Sequence, residues 1–117
     1  MPCSLSDCLD LVHQLEQVTQ DDRHEAWSGF AVAGRGFGFL WPATATVGLK
    51  QLRAEQLALV AERPEVFEVQ FTAGRFGWVV VHLEGVERDE LAELVFEAWR
   101  LSAPEELVAA RADRLPT

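Results

Sequence analysis

The chain is poor in cysteine, in basic residues and in long apolar runs. Cys3 and Cys8 are its two cysteines among 117 residues, so no disulfide framework is expected and a reduced, cytoplasmic protein is predicted. No apolar run approaches the ~20 residues of a membrane-spanning helix, and the first residues lack the basic start of a signal peptide. We therefore expect one domain over residues 1–117 that does not associate with membranes.

Acidic residues outnumber basic residues by almost two to one. Ten Lys and Arg face nineteen Asp and Glu, which gives a net charge of −9. Proteins that bind nucleic acid through a broad surface are usually basic, because neutralising phosphates supplies most of the affinity. The balance therefore disfavours binding of DNA or of anionic membranes through the general surface, and solubility alone would account for the acidity. A few arginines on one projecting element could still act locally.

Four helices are predicted, the first and the third of them from apolar residues that recur every three and four positions. The first covers residues 5–18, is capped by Ser4 and Asp7, and ends in the polar run 19–23. Two more helices are predicted over 52–63 and from Arg88 onwards, and a short final helix follows Pro104.

Runs of alternating and apolar residues predict five strands, which cover residues 29–33, 37–41, 46–49, 67–71 and 78–83. Phe37, Phe39 and Trp41 alternate with smaller residues, so all three are expected on one face. The order α-β(3)-α-β(2)-α predicts an α+β two-layer sandwich, in which helices cover one face of an antiparallel sheet.

Two similar stretches, AGRGFGFLW from Ala33 and AGRFGWVVV from Ala73, invite comparison with phosphate-binding loops. A dinucleotide fingerprint needs G-x-G-x-x-G between a strand and a helix, whereas a strand follows here. The glycines are better interpreted as turn residues of two hairpins, and each turn displays one arginine, Arg35 or Arg75.

Catalytic and metal-binding patterns are absent from the sequence. The spacing of Cys3, Cys8 and His13 does not bring them to one side of a helix. Cys8 lies on the apolar stripe and is expected to be buried and unreactive. We therefore predict no catalytic residue, no metal and no cofactor. A small-molecule enzyme would need a polar cleft that gathers His24 or His82 with carboxylates.

The second half of the chain resembles the YjbR/MmcQ family. The resemblance rests on AERPEVFEVQF and on GWVVVHLEGVERDELAELVFEAWRLSAPEELVAA, and it extends more weakly to the Gly34–Gly38 hairpin. It implies an α-β(3)-α-β(2)-α fold like that of secretion chaperones, with the last strand inside the sheet. The chain departs from the family pattern at Glu105 and Glu106, where the family has basic residues.

The resemblance also implies DNA binding through two hairpin loops that project like paired wings. Arg35 and Arg75 are then the candidate contacts, with Lys50 and Arg53 as support. The resemblance implies no enzymatic activity and no cofactor. Each arginine could also simply keep an exposed turn soluble.

The strand WVVVHL suggests a different function. Val79, Val81 and Leu83 share one face, so Trp78, Val80 and His82 share the other. If helices cover only the first face, the second is an apolar patch suited to a partner. The alternative to DNA binding is therefore an acidic adaptor or homodimer, although a loop, a terminal helix or a second copy could cover the patch. The protein is accordingly expected to be a monomer or a homodimer.

Overall fold

The computed structural model describes residues 2–117, which form an α+β sandwich of one sheet and one helical layer. In chain order the elements are α1 (Leu5–His13), β1 (Val18–Asp21), β2 (Ser28–Val32), β3 (Arg35–Trp41), β4 (Thr46–Leu52), α2 (Arg53–Glu62), β5 (Phe67–Ala73), β6 (Phe76–His82), α3 (Arg88–Arg100) and α4 (Glu105–Arg111). Short 3-10 turns follow β3 and β6.

The sheet is antiparallel throughout, with strand order β1-β2-β3-β4-β6-β5. Strand β6 therefore lies inside the sheet between β4 and β5, and the predicted fold class is confirmed. The described residues contain six strands rather than the predicted five, because a short strand follows the first helix.

The first helix is shorter than predicted. It ends at His13, and Gln17 adopts a left-handed φ of 56°, so the chain reverses direction there. The residues expected to be its polar end instead form β1, which pairs with β2 from Val18–Val32 to Asp21–Gly29. Val18 fits both a helical stripe and an alternating strand, which is why its spacing misled the prediction.

The predicted common face of Phe37, Phe39 and Trp41 is wrong. A β-bulge lies at Phe37, since Phe30 pairs with Gly38 and the next residue of β2 pairs with Gly36. The extra residue reverses the alternation. Phe37 is therefore fully buried in the core, whereas Phe39 and Trp41 lie on the opposite face of the sheet.

The hydrophobic core fills the space between the helices and one face of the sheet. Trp99 of α3 is fully buried there, and its indole N–H donates to the carbonyl of Glu16 (3.0 Å). Cys8 is buried as predicted, and burial raises the pKa of its thiol to about 12. No helix within residues 2–117 is long and apolar enough to span a bilayer.

A second bulge lies at Gln70, because Val69 pairs with Val79 while Phe71 pairs with Trp78. The buried amide of Gln56 connects helix α2 to the two strands at this bulge. Its nitrogen donates to the carbonyls of Phe71 (3.1 Å) and Trp78 (2.9 Å). One side chain therefore holds the helix against both strands of the β5–β6 hairpin.

Residue 77 has to be glycine for this contact to form. A Cβ atom there would lie 2.8 Å from Cβ of Gln56, which is closer than real side chains approach. Because Cβ of Gln56 is fixed to the helix backbone, only movement of the helix would relieve the clash.

Replacing Gln56 by alanine should destabilise the protein by about 2 kcal/mol, because the buried carbonyl of Trp78 and the partly buried carbonyl of Phe71 lose a donor. Urea denaturation measures the change, and Glu62→Ala is the control on the exposed side of the same helix. The control should change the free energy of unfolding by less than about 0.5 kcal/mol. Equal effects of the two substitutions would contradict this role of Gln56.

The start of α1 should carry a pH-dependent share of the stability. Ser4 and Asp7 form a capping box, and hydrogen bonds from the backbone amide of Ser4, then from its hydroxyl and from Arg88, lower the pKa of the Asp7 carboxyl. A carboxyl whose pKa is lower in the folded state stabilises the fold above its unfolded pKa, and this contribution is lost as the pH falls.

We therefore expect Ser4→Ala to raise the pKa of Asp7 and to destabilise the protein more at neutral pH than near about pH 3. Carboxyl resonances followed by NMR report the pKa, and urea denaturation reports the stability. Ser6→Ala, at an exposed serine of the same helix, is the control and should leave the pKa of Asp7 unchanged. An unchanged pKa in Ser4→Ala would contradict the capping role.

Candidate functional site at the hairpin end of the sheet

The two predicted hairpins project from the same end of the sheet. Strands β3 and β6 begin at this end, and β4 and β5 finish there, as the pairs Val32–Arg35, Leu52–Phe76 and Ala73–Phe76 show. We call this region the hairpin end. The antiparallel order of the strands thus brings together turns that are about forty residues apart in the chain.

Both turns have the left-handed backbone expected of tight hairpins. In the first, Ala33 has a φ of 50° and Gly34 a φ of 81°, so both central residues are left-handed, as in a type I′ turn. In the second, Gly74 has a φ of 60°. No heavy atom would lie within 4 Å of a Cβ built on either glycine, so the glycines serve backbone geometry in open turns.

The four candidate DNA-contacting residues meet at the hairpin end. Arg35 begins β3, Arg75 lies in the second turn, Lys50 is near the end of β4 and Arg53 begins α2. The amide of Arg53 donates to the carbonyl of Arg75 (3.1 Å), so the second turn supplies the hydrogen-bond acceptor that α2 lacks at its start. We call these four residues the basic cluster.

Within residues 2–117, no member of the basic cluster forms an ion pair. The basic residues that do pair with carboxylates are Arg23, Arg63, Arg88, Arg100 and Arg111. Of the ten basic residues, five therefore have no carboxylate partner in this part of the chain, and four of those five form the cluster. The side chains of Arg35, Arg53 and Arg75 are exposed.

Lys50 links the two hairpins. Strands β3 and β4 are paired only as far as Gly38–Leu49, so Lys50, the next residue of β4, has no partner on β3. Its amine donates to Oγ of Ser102 (3.0 Å). The same hydroxyl lies 3.4 Å from the carbonyl of Gly36 at the base of the first hairpin. On its other side, the amine lies 4.1 Å from the ring centroid of Phe76, which begins β6.

Phe76 is a site residue that sequence reasoning missed. Its ring contacts two cations, because the amine of Lys50 lies 4.1 Å and the guanidinium carbon of Arg75 lies 5.0 Å from the ring centroid. Such contacts are favourable because the face of an aromatic ring is electronegative. The strand predicted over 78–83 begins two residues after Phe76, and the even spacing from Trp78 could have placed both residues on one face of a longer strand.

The environment of Lys50 also changes the pKa of its amine. Burial, followed by the nearby charges of Arg35 and Arg75, lowers the pKa of its ammonium below the ordinary value. The positive charges thus repel one another without a carboxylate to compensate them. An anion bound between the hairpins would relieve this repulsion.

The candidate partner-binding residues lie on the open face of the sheet, away from the helices. Trp78 does not belong to the core cluster, and it is only 7 % exposed because Phe39 and Phe71 pack against it. Val80 is half-buried. His82 is bonded to the carboxylate of Glu68 across the strand pair.

A row of aromatic side chains crosses this open face. Trp27, Phe39, Trp78 and Phe71 follow one another with ring centroids 5.1–5.4 Å apart, and Trp41 lies 6.1 Å from Phe39. We call these five residues the aromatic row. Sequence reasoning placed only Trp78 at a site on this face, because both bulges hid how the other rings would be oriented.

The two histidines considered for an enzymatic cleft, His24 and His82, lie in separate places. His24 stacks on Trp27 at the opposite end of the sheet, and His82 contacts Glu68. Among residues 2–117, no three His, Cys, Asp or Glu side chains are grouped so that they could hold a metal ion.

Comparison with known proteins agrees with this architecture. The chain is similar to the crystal structure of the Deinococcus radiodurans protein DR2400, described with a DUF419 domain, at a TM-score of 0.73 and 18% sequence identity. The match covers 84% of this chain and 77% of that one, and at such identity it shows the fold alone. No curated protein matches the chain. The YjbR family model matches residues 13–101, about three quarters of the sequence, and the chain therefore belongs to the YjbR family.

Proposed function

We propose that this protein is a non-enzymatic DNA-binding protein that contacts the phosphate backbone with the basic cluster. The observation that carries the proposal is the meeting of Arg35, Lys50, Arg53 and Arg75, without ion-pair partners among residues 2–117, at the end where both hairpins project. In a chain of net charge −9, these cations are the side chains best placed to meet a polyanion.

The arrangement suits a backbone better than a base-specific contact. The arginines are exposed at the two turns, while Lys50 is held between them by Ser102 and Phe76. Two exposed cations on either side of Lys50 can contact successive phosphates without reading the base sequence. The surrounding acidic surface would repel DNA elsewhere and so confine binding to this end.

Duplex DNA of mixed sequence should therefore bind at low salt and dissociate as salt is raised. With four phosphate contacts, the logarithm of the binding constant should fall against the logarithm of salt concentration with a slope of about −3 to −4. Fluorescence anisotropy between about 50 and 200 mM salt measures this slope.

Arg35→Gln/Arg75→Gln should weaken binding about tenfold or more and make the slope shallower by about 2. Arg23→Gln/Arg114→Gln is the matched control, because it changes the net charge equally at residues outside the cluster, with Arg23 in the loop at the opposite end of the sheet. The proposal fails if the wild-type protein does not bind at low salt. It also fails if both double variants bind alike.

A second candidate function is a protein-interaction or homodimerisation module. The observation that favours it is the presence of large exposed apolar side chains on the edge strand β5 and on α2: Val69 is 51 % exposed, Phe71 41 % and Leu57 61 %. Light scattering that shows a dimer in the wild type and a monomer in Val69→Asp would favour this function. A monomer at all concentrations, with DNA binding intact, would favour the first.

A further inference from the structure

We infer that the nucleic acid bound at the hairpin end is single-stranded, with its bases stacked on the aromatic row and its phosphates on the basic cluster. This inference rests on the proposed function, because it requires the same cations. It adds the class of ligand and a second binding surface. In a duplex, bases present only their edges, whereas unpaired bases present faces that can stack on aromatic side chains.

The cations and the rings form one continuous surface. Lys50 lies directly opposite Trp78 in the β4–β6 register, and Phe76 lies two residues from Trp78 on the same face of β6. Phe76 contacts Lys50 and Arg75, while Trp78 stacks on Phe71 at a centroid distance of 5.1 Å. A strand whose phosphates meet the cations would therefore bring its bases over the adjacent rings.

The row also offers rings that a base can reach. Trp78 is almost covered and forms the floor of the row, but Phe71 remains 41 % exposed. Trp27, Phe39 and Trp41 are half-buried, so part of each ring faces solvent. Stacking on such rings stabilises single-stranded complexes with little dependence on base identity, since every base has an aromatic face.

Charge limits how far the strand can run. Beyond Trp78 on the same face, Glu68 lies opposite Val80 and its largely exposed carboxylate contacts His82. At the far end of the row, Asp21 lies beside Gly29 and pairs with Arg23. Phosphates would be repelled from these carboxylates, so we expect the phosphates to stay at the hairpin end while the bases extend along the aromatic row.

Three oligomers of equal length distinguish stacking from backbone binding. They are a single-stranded oligothymidylate of about ten nucleotides, an abasic deoxyribose-phosphate strand, and a duplex of mixed sequence. The inference predicts that oligothymidylate binds at least about fivefold more tightly than the abasic strand, because only the former can stack. It predicts the same preference over the duplex.

Tryptophan fluorescence provides a direct signal for stacking. Trp27, Trp41 and Trp78 belong to the aromatic row, whereas Trp99, the fourth tryptophan, is buried in the core on the opposite face. Oligothymidylate should therefore quench the emission, and the abasic strand should not. This comparison uses the wild-type protein and does not depend on a variant that folds.

A pair of substitutions on β5 then tests the location of stacking. Phe71→Ala should weaken binding of oligothymidylate about tenfold, the loss expected for one stacked base, and leave binding of the abasic strand unchanged. Val69→Ala is the matched control, since Val69 is at least as exposed on the same strand but pairs with Val79 on the other face. It should change neither affinity.

The outcomes separate the two proposals. If all three oligomers bind with equal affinity, without quenching and with dependence on Arg35 and Arg75, the inference of single-strand stacking is overturned and the proposed function stands. If none binds at low salt, both are overturned. If oligothymidylate binds through Phe71 but independently of the two arginines, both proposals are overturned, because each places the phosphates on these cations.

Discussion

Two β-bulges determine which side chains reach each face of the sheet, and the rest of the site depends on them. The bulge at Phe37 places that ring in the core and leaves Phe39 on the open face. The bulge at Gln70 brings Phe71 to the same face as Trp78. Without either extra residue, the alternation of its strand would be reversed beyond that point, and the rings would not form a row.

The distribution of ion pairs explains how an acidic protein can keep a local positive site. Among residues 2–117, five of the six arginines away from the hairpin end are paired with carboxylates, as in the contacts of Arg88 with Asp7 and of Arg111 with Glu16. Each matched pair adds little to the long-range field. The unpaired cations lie close together, and burial, followed by the charges of Arg35 and Arg75, lowers the pKa of Lys50.

The order and type of most elements could be predicted from the sequence, because their apolar periodicity is strong. Periodicity could not predict β1, whose Val18 fits a helix and a strand equally well, nor the orientation of Phe37, since a bulge leaves no composition signal. The candidates Arg35 and Arg75 came from the sequence, whereas their proximity to Lys50 is a consequence of strand order. Phe76 and Phe71 required the three-dimensional register.

The way Gln56 fastens α2 has a consequence for how this surface can change over evolution. Its amide nitrogen donates to main-chain carbonyls, those of Phe71 and Trp78, and Gln56 leaves no room for a side chain at residue 77. This contact between α2 and the β5–β6 hairpin therefore does not depend on which side chains the hairpin exposes to solvent. The hairpin can acquire different side chains at its exposed positions, and so different ligands, while the scaffold that holds it stays the same.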